Sequence, residues 1–324
     1  MHIPDNYLSP VTCGTLFAAV TPIWTIAVIK VKKQIKKHHE TLPMIGIASS
    51  LAFLIMMFNL PIPGGTTAHA VGGTLLSILI GPWATCLAIT VTLLLQAFLF
   101  GDGGILSFGV NVMNMAVIMP FVGYWIYKIG KKFKHEKLGV ILGSYIGINS
   151  AALLAGIELG IQPLIAHTNN GSPLYCPYGL NITVPAMLLA HLLVAGWVEV
   201  IFTLLVFKFV NKVSPTKIYD NSNNANNIHW IYLLIGLALI SPLGLIAKNT
   251  AFGEWNNQEL QHMLIKQHLG SQVPEGMLNG FHFKALFSDY TINGLPISIG
   301  YILSAITAIL VFLLLVRGLK HETK

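Results

Sequence analysis

The sequence predicts an all-α integral membrane protein. It reads as a seven-helix transmembrane bundle followed by two further transmembrane helices, with the N-terminus outside and the C-terminus cytoplasmic. Three observations predict this. Of 324 residues, 54% are hydrophobic and only 10% charged, whereas a soluble domain carries about 25% charged residues. Several stretches of about 18 residues or more run almost without charge, enough to cross a ~30 Å hydrocarbon layer. The Lys and Arg residues gather between those stretches, as cytoplasmic loops do.

Nine spans follow from hydrophobic patterning, at roughly 10–29, 43–60, 69–81, 83–99, 108–127, 138–160, 184–207, 229–247 and 296–316. The first apolar run ends at Lys30-Val31-Lys32-Lys33. The start, Met1-His2-Ile3-Pro4-Asp5, is not the basic opening of a cleavable signal, so this run reads as a retained helix. The third span is short for a full crossing. It is either a half-span or fuses with the fourth through Gly81-Pro82.

The basic residues arbitrate. With the N-terminus outside, segments 30–39, 128–137, 208–217 and 317–324 face the cytoplasm and hold 16 of the 19 Lys and Arg residues. Lys248, Lys266 and Lys284 remain outside. Fusing spans three and four would put 128–137 outside, so two short spans are preferred. The net charge of +7 is then a topology signal and not a nucleic-acid surface. Residues 218–228 read as an Asn-rich cytoplasmic linker. They divide a seven-span unit, 1–217, from a two-span unit, 229–324, with an outer segment at 248–295.

This topology places the N-terminal ten residues and the loop 61–69 on the same outer side. A histidine at position 2 has specific chemistry there. The α-amine of Met1, the amide nitrogen of His2 and the His2 imidazole can close adjoining five- and six-membered chelate rings. A fourth nitrogen completes a square that suits Ni²⁺ or Cu²⁺ more than Zn²⁺. The initiator Met is retained before a bulky second residue, and the amide loses its proton only to a strongly binding metal. His69 follows a Gly-rich loop that can approach another backbone closely, and is the natural fourth ligand. Taken alone, a Met-His start is otherwise an exposed polar terminus.

Met1-His2-Ile3-Pro4-Asp5 with Leu8-Ser9-Pro10 resembles the opening of the substrate-capture components of energy-coupling-factor nickel and cobalt importers. Pro61-Ile62-Pro63-Gly64-Gly65-Thr66 with His69, Gly72-Gly73, Gly81-Pro82-Trp83-Ala84, Gln96-Ala97, Phe100-Gly101-Asp102-Gly103-Gly104, Asn111 and Asn114-Met115 are similar too. The resemblance is close over residues 1–125 and looser over 126–210. It implies a seven-span protein with its N-terminus tucked into the outer half of the bundle. It also implies Ni²⁺ or Co²⁺ as transported substrate, no cofactor, and ligation by Met1, His2 and His69. A transmembrane coupling protein and ATP-binding cassette ATPases are the implied partners, in a bacterial or archaeal cell membrane and its lipid. The two-span tail is similar to the small accessory subunit fused in some members. Its Val273-Pro274-Glu275-Gly276-Met277 and Phe287-Ser288-Asp289-Tyr290 lean toward nickel. Where the family usually has Gly, this chain has Asn6, which tolerates left-handed geometry.

Thr66, Thr67, Gln96, Asn111 and Asn114 are expected to hold the imidazoles in the right tautomer. Asp102 either fixes a turn or orients a ligand. Glu158, His191 and Glu199 lie at membrane depth, where ionisable groups are costly. They read as interhelical contacts, or alternatively as the ion path of a secondary cation transporter or channel. His262, His268 and His282 read as solvated, or as collectors of metal. Asn170-Gly171-Ser172 and Asn181-Ile182-Thr183 match short sequons that arise by chance. Cys13, Cys86 and Cys176 form no CxxC and suggest neither a disulfide framework nor a thiolate metal site. No Gly-x-x-x-x-Gly-Lys-Ser/Thr loop or His-Glu-x-x-His is present, so an ATPase would be another chain and a membrane zinc protease is unsupported.

Overall fold

The computed structural model describes residues 1–63, 65–213, 219 and 228–322. Apart from Tyr219 and Ile228, the Asn-rich segment lies outside the described residues. Among the described residues, the named elements are helices but for one short hairpin. Helices α1 (Pro10–Lys37), α2 (Thr41–Met56), α3 (Gly73–Ile80), α4 (Pro82–Phe100), α5 (Phe108–Lys132), α6 (Glu136–Gly160) and α7 (Leu180–Lys212) make the larger part. Helices α8 (Trp230–Ile246), α9 (Asn257–Lys266) and α10 (Ile297–Glu322) follow. Among the described residues, six helices are long and apolar enough to cross a membrane, and α2 and α8 are shorter apolar helices. Large apolar side chains such as Phe17, Trp125, Leu189, Leu205 and Leu314 stay exposed on the bundle's rim, as a lipid-facing surface requires.

Local chemistry explains the breaks. Ser9 caps α1 by accepting the Thr12 N–H, and Pro10 opens the helix where a missing N–H costs nothing. Gly81, at φ +85°, turns the chain between α3 and α4, with the Tyr219 ring where a Cβ would sit. Helices α5 and α6 touch backbone to backbone at Gly130–Gly139 and Gly123–Gly143, the close approach that small residues allow inside membranes.

The third expected span departs most from its sequence reading. Only Gly73–Ile80 is helical, about 12 Å at 1.5 Å per residue. Before it, β1 (Leu60–Ile62) pairs antiparallel with β2 (Thr66–Ala68), Leu60 opposite Ala68. His69, Ala70, Val71 and all of α3 are buried. Gln34, among the Lys residues ending α1, donates to the last carbonyl of α3, Ile80 O, at 3.0 Å. The short helix therefore reaches the basic end of the bundle. The extended segment before it runs to the other end at bundle depth, as non-helical backbone does only when wrapped in protein.

The C-terminal helices pack on α2. Gly46 of α2 faces Val316 of α10, and Phe53 meets Phe312 with ring centroids 6.3 Å apart. The 248–295 segment folds back over the end of the bundle that holds the N-terminus.

Candidate metal centre

Residues 1–9 plug into the bundle. Met1, His2, Ile3, Tyr7, Leu8 and Ser9 are all buried. An extended buried strand must satisfy its backbone, and neighbouring spans do so. Ile3 N–H donates to Asn111 Oδ1 at 2.8 Å, and Ile3 C=O accepts from Asn111 Nδ2 at 3.0 Å. The same carbonyl accepts from Gly104 N–H at 3.1 Å and from the Ser107 hydroxyl. Asp5 accepts from the N–H groups of Ile105 and Leu106, at 3.1 and 2.7 Å. Asn6 takes the left-handed geometry a family Gly would, φ 69°, and exchanges two hydrogen bonds with Phe281. Ser9 N–H donates to Gln162.

The plug brings His2 to His69. His69 Nε2 lies 3.2 Å from His2 Nδ1, with ring centroids 5.0 Å apart. The partner of its other ring nitrogen sets the His69 tautomer. Ala70 C=O can only accept, so His69 Nδ1–H donates to it at 3.0 Å, leaving Nε2 bare. His2 has an acceptor beside each ring nitrogen, with Gln96 Oε1 3.3 Å from Nε2. Burial, then the charged α-amine, lowers the His2 pKa to about 3, so its imidazole is neutral. The His69 Nε2 lone pair thus faces His2 Nδ1. Asp102 Oδ1, 3.2 Å from the same His2 Nδ1, adds negative charge beside them. Two nitrogens each about 2 Å from one ion at a right angle lie about 3 Å apart. Among the described residues no group of three or more His, Cys, Asp or Glu side chains could hold a metal. Further donors here would be main-chain nitrogens, of which Met1 N and His2 N are the nearest in sequence.

The other expected residues divide. Gln96 and Asp102 touch His2, and Asn111 holds Ile3 beside it. Thr66 Oγ1 accepts instead from Phe252 N–H, at 2.9 Å. Thr67 is buried in β2. Asn114 donates to Glu158, at 2.6 Å. Glu158, His191 and Glu199 each bond elsewhere and not to one another. His191 Nδ1–H donates to Met187 C=O at 2.7 Å. Glu199 accepts from the backbone N–H groups of Val71 and Gly72. His262, His268 and His282 are exposed, as are Asn170 and Asn181. The three cysteines are free and buried.

Sequence reasoning missed the contribution of the C-terminal part. Glu254 Oε1 stands 3.5 Å from the Met1 amine. Trp255 C=O accepts from the Tyr7 hydroxyl at 2.7 Å. The Tyr290 hydroxyl donates to Asp102 and accepts from Gln96 Nε2. Tyr290 sat in a quoted stretch, but pairing across 188 residues leaves no local trace. Among the described residues, each segment that turns π-helical carries a polar residue singled out from sequence: Gln96–Phe100, Val112–Ile118 with Asn114, and His191–Ala195. Such bulges concentrate at functional sites.

Residues 2–217 match the family described as cobalt uptake substrate-specific transmembrane region, and residues 226–321 match the PDGLE domain. The chain is similar to the probable fused nickel transport protein LarMN of Lactiplantibacillus plantarum, 73% identical over 100% of this chain and 98% of that one. It is similar to the fused nickel transport protein NikMN of Rhodobacter capsulatus, 40% identical over 95% and 94%. A solved truncated transition metal transporter is 54% identical, with a TM-score of 0.63, over 65% of this chain and 99% of that one.

Proposed function

Because the chain belongs to the cobalt-uptake substrate-specific transmembrane family, a multi-pass prokaryotic membrane transporter and not an enzyme, we propose that it captures Ni²⁺, ahead of Co²⁺, for ATP-driven uptake. The ligands are the Met1 amine, the His2 amide nitrogen and Nδ1, and His69 Nε2. The observation that carries this reading is the pair of imidazole nitrogens at 3.2 Å with the Asp102 carboxylate beside them, an arrangement that suits a cation held between the rings. Nickel is favoured because two full-length relatives are named nickel transport proteins. A rigid planar nitrogen set supplies the selectivity that intrinsic affinity, which favours Cu²⁺, does not.

The capture face is the outer one. The basic segments at the other end carry the positive-inside signal, with nine crossings and the cytoplasmic linker at 218–228 between the 1–217 and 229–324 units. Transport needs a transmembrane coupling protein and ATP-binding cassette ATPases as separate chains. Calorimetry of the purified protein with Ni²⁺ tests the ligand set. His69→Ala is expected to weaken binding more than tenfold, and unchanged affinity would remove His69 from the site.

A further inference from the structure

Glu199, at membrane depth on α7, is fully buried, and the capture chemistry above gives it no part. Its Oε2 accepts from Val71 N–H at 2.9 Å and from Gly72 N–H at 3.0 Å. These groups lie just after His69, where the chain enters α3. Gly72 sits at φ +80° and offers no side chain to cap that helix. A carboxylate from another span therefore caps it, at the positive end of the helix.

The Val71 N–H belongs to the same peptide unit as the Ala70 carbonyl. That carbonyl accepts His69 Nδ1–H at 3.0 Å. One peptide group is thus gripped at its N–H by Glu199 and at its oxygen by the imidazole. A carboxylate on the N–H side polarises the peptide and strengthens its oxygen as an acceptor. A better acceptor at Nδ1–H fixes the ring's tautomer and orientation and makes the opposite nitrogen a stronger donor. The opposite nitrogen is His69 Nε2, facing His2.

We propose that Glu199 is the positioning residue for His69, acting through the Ala70–Val71 peptide to keep Nε2 bare and aimed at His2. The value of this for capture rests on the proposed metal reading, but the relay itself does not. It is tested first without metal. Nitrogen-15 NMR of histidine-labelled full-length protein reads the tautomer, with His69 assigned by His69→Gln. Wild type is expected to show His69 in the Nδ1–H form.

Glu199→Gln retains an acceptor for both N–H groups but not the charge. It is expected to give a mixture of tautomers, and Glu199→Leu a larger shift. The Gln variant is then titrated with Ni²⁺. Affinity is expected to fall about fivefold, the difference between a charged and a neutral acceptor. A tautomer ratio unchanged in the Gln variant, or an unchanged Ni²⁺ affinity in it, overturns the proposal. Wild-type protein that binds no Ni²⁺ sinks the capture reading and leaves the tautomer result to decide the relay.

Discussion

His2 carries a pH signature. Its folded pKa of about 3 lies below the unfolded 6.5. Between those values the unfolded state binds more protons, so stability falls as pH drops below about 6.5 and is flat above it. His2 is expected to loosen the plug between pH 7 and pH 5, against an opposite contribution from Glu254 at the Met1 amine, whose carboxyl burial raises to about 7. The readout is hydrogen-exchange protection of Ile3 N–H, which Asn111 holds at 2.8 Å. His2→Gln should show a smaller loss over that interval, and an equal loss would assign the slope to other groups. The proposed ligands could be read from sequence because Met1-His2 has chemistry of its own. Asn111 was legible as a helper, but what it holds, the Ile3 backbone, was not. Asn114 was expected to hold an imidazole, yet the chain turns π-helical from Val112. Its amide meets Glu158 instead.

Residues 1–9 have no helix or strand to stabilise them, so they depend on what surrounds them. Gly104 shows how closely. A Cβ there would collide with Asp5 and with the Ser107 hydroxyl, the groups that seat residues 3–5. Gly104→Ala is expected to weaken Ni²⁺ binding more than tenfold with the helical circular-dichroism signal unchanged. Retained affinity would mean the segment can shift without loss. The long apolar helices were legible because lipid demands length and hydrophobicity. The third span was not, because its apolar run divides between a buried extended segment and an eight-residue helix. Hydropathy reports burial and is blind to that division.

The two parts of the chain meet at the site. Glu254 approaches the amine and Tyr290 holds Asp102, so the 248–295 segment bears on the same few residues as the bundle. Sequence placed this segment on the same side as the N-terminus through its scarcity of basic residues, and the two meet, but it gave no pairing between distant positions. The nine-crossing arrangement predicts that single cysteines at 128–137 react with a permeant thiol reagent and resist an impermeant one in intact cells. External labelling there would invert the bundle. The most direct measurement concerns the terminus itself. One residue added before Met1 moves the free amine out of the five-membered ring while leaving every helix intact. Calorimetry with Ni²⁺ is expected to show high-affinity binding abolished, and affinity equal to that of the unextended protein would contradict capture by the N-terminus.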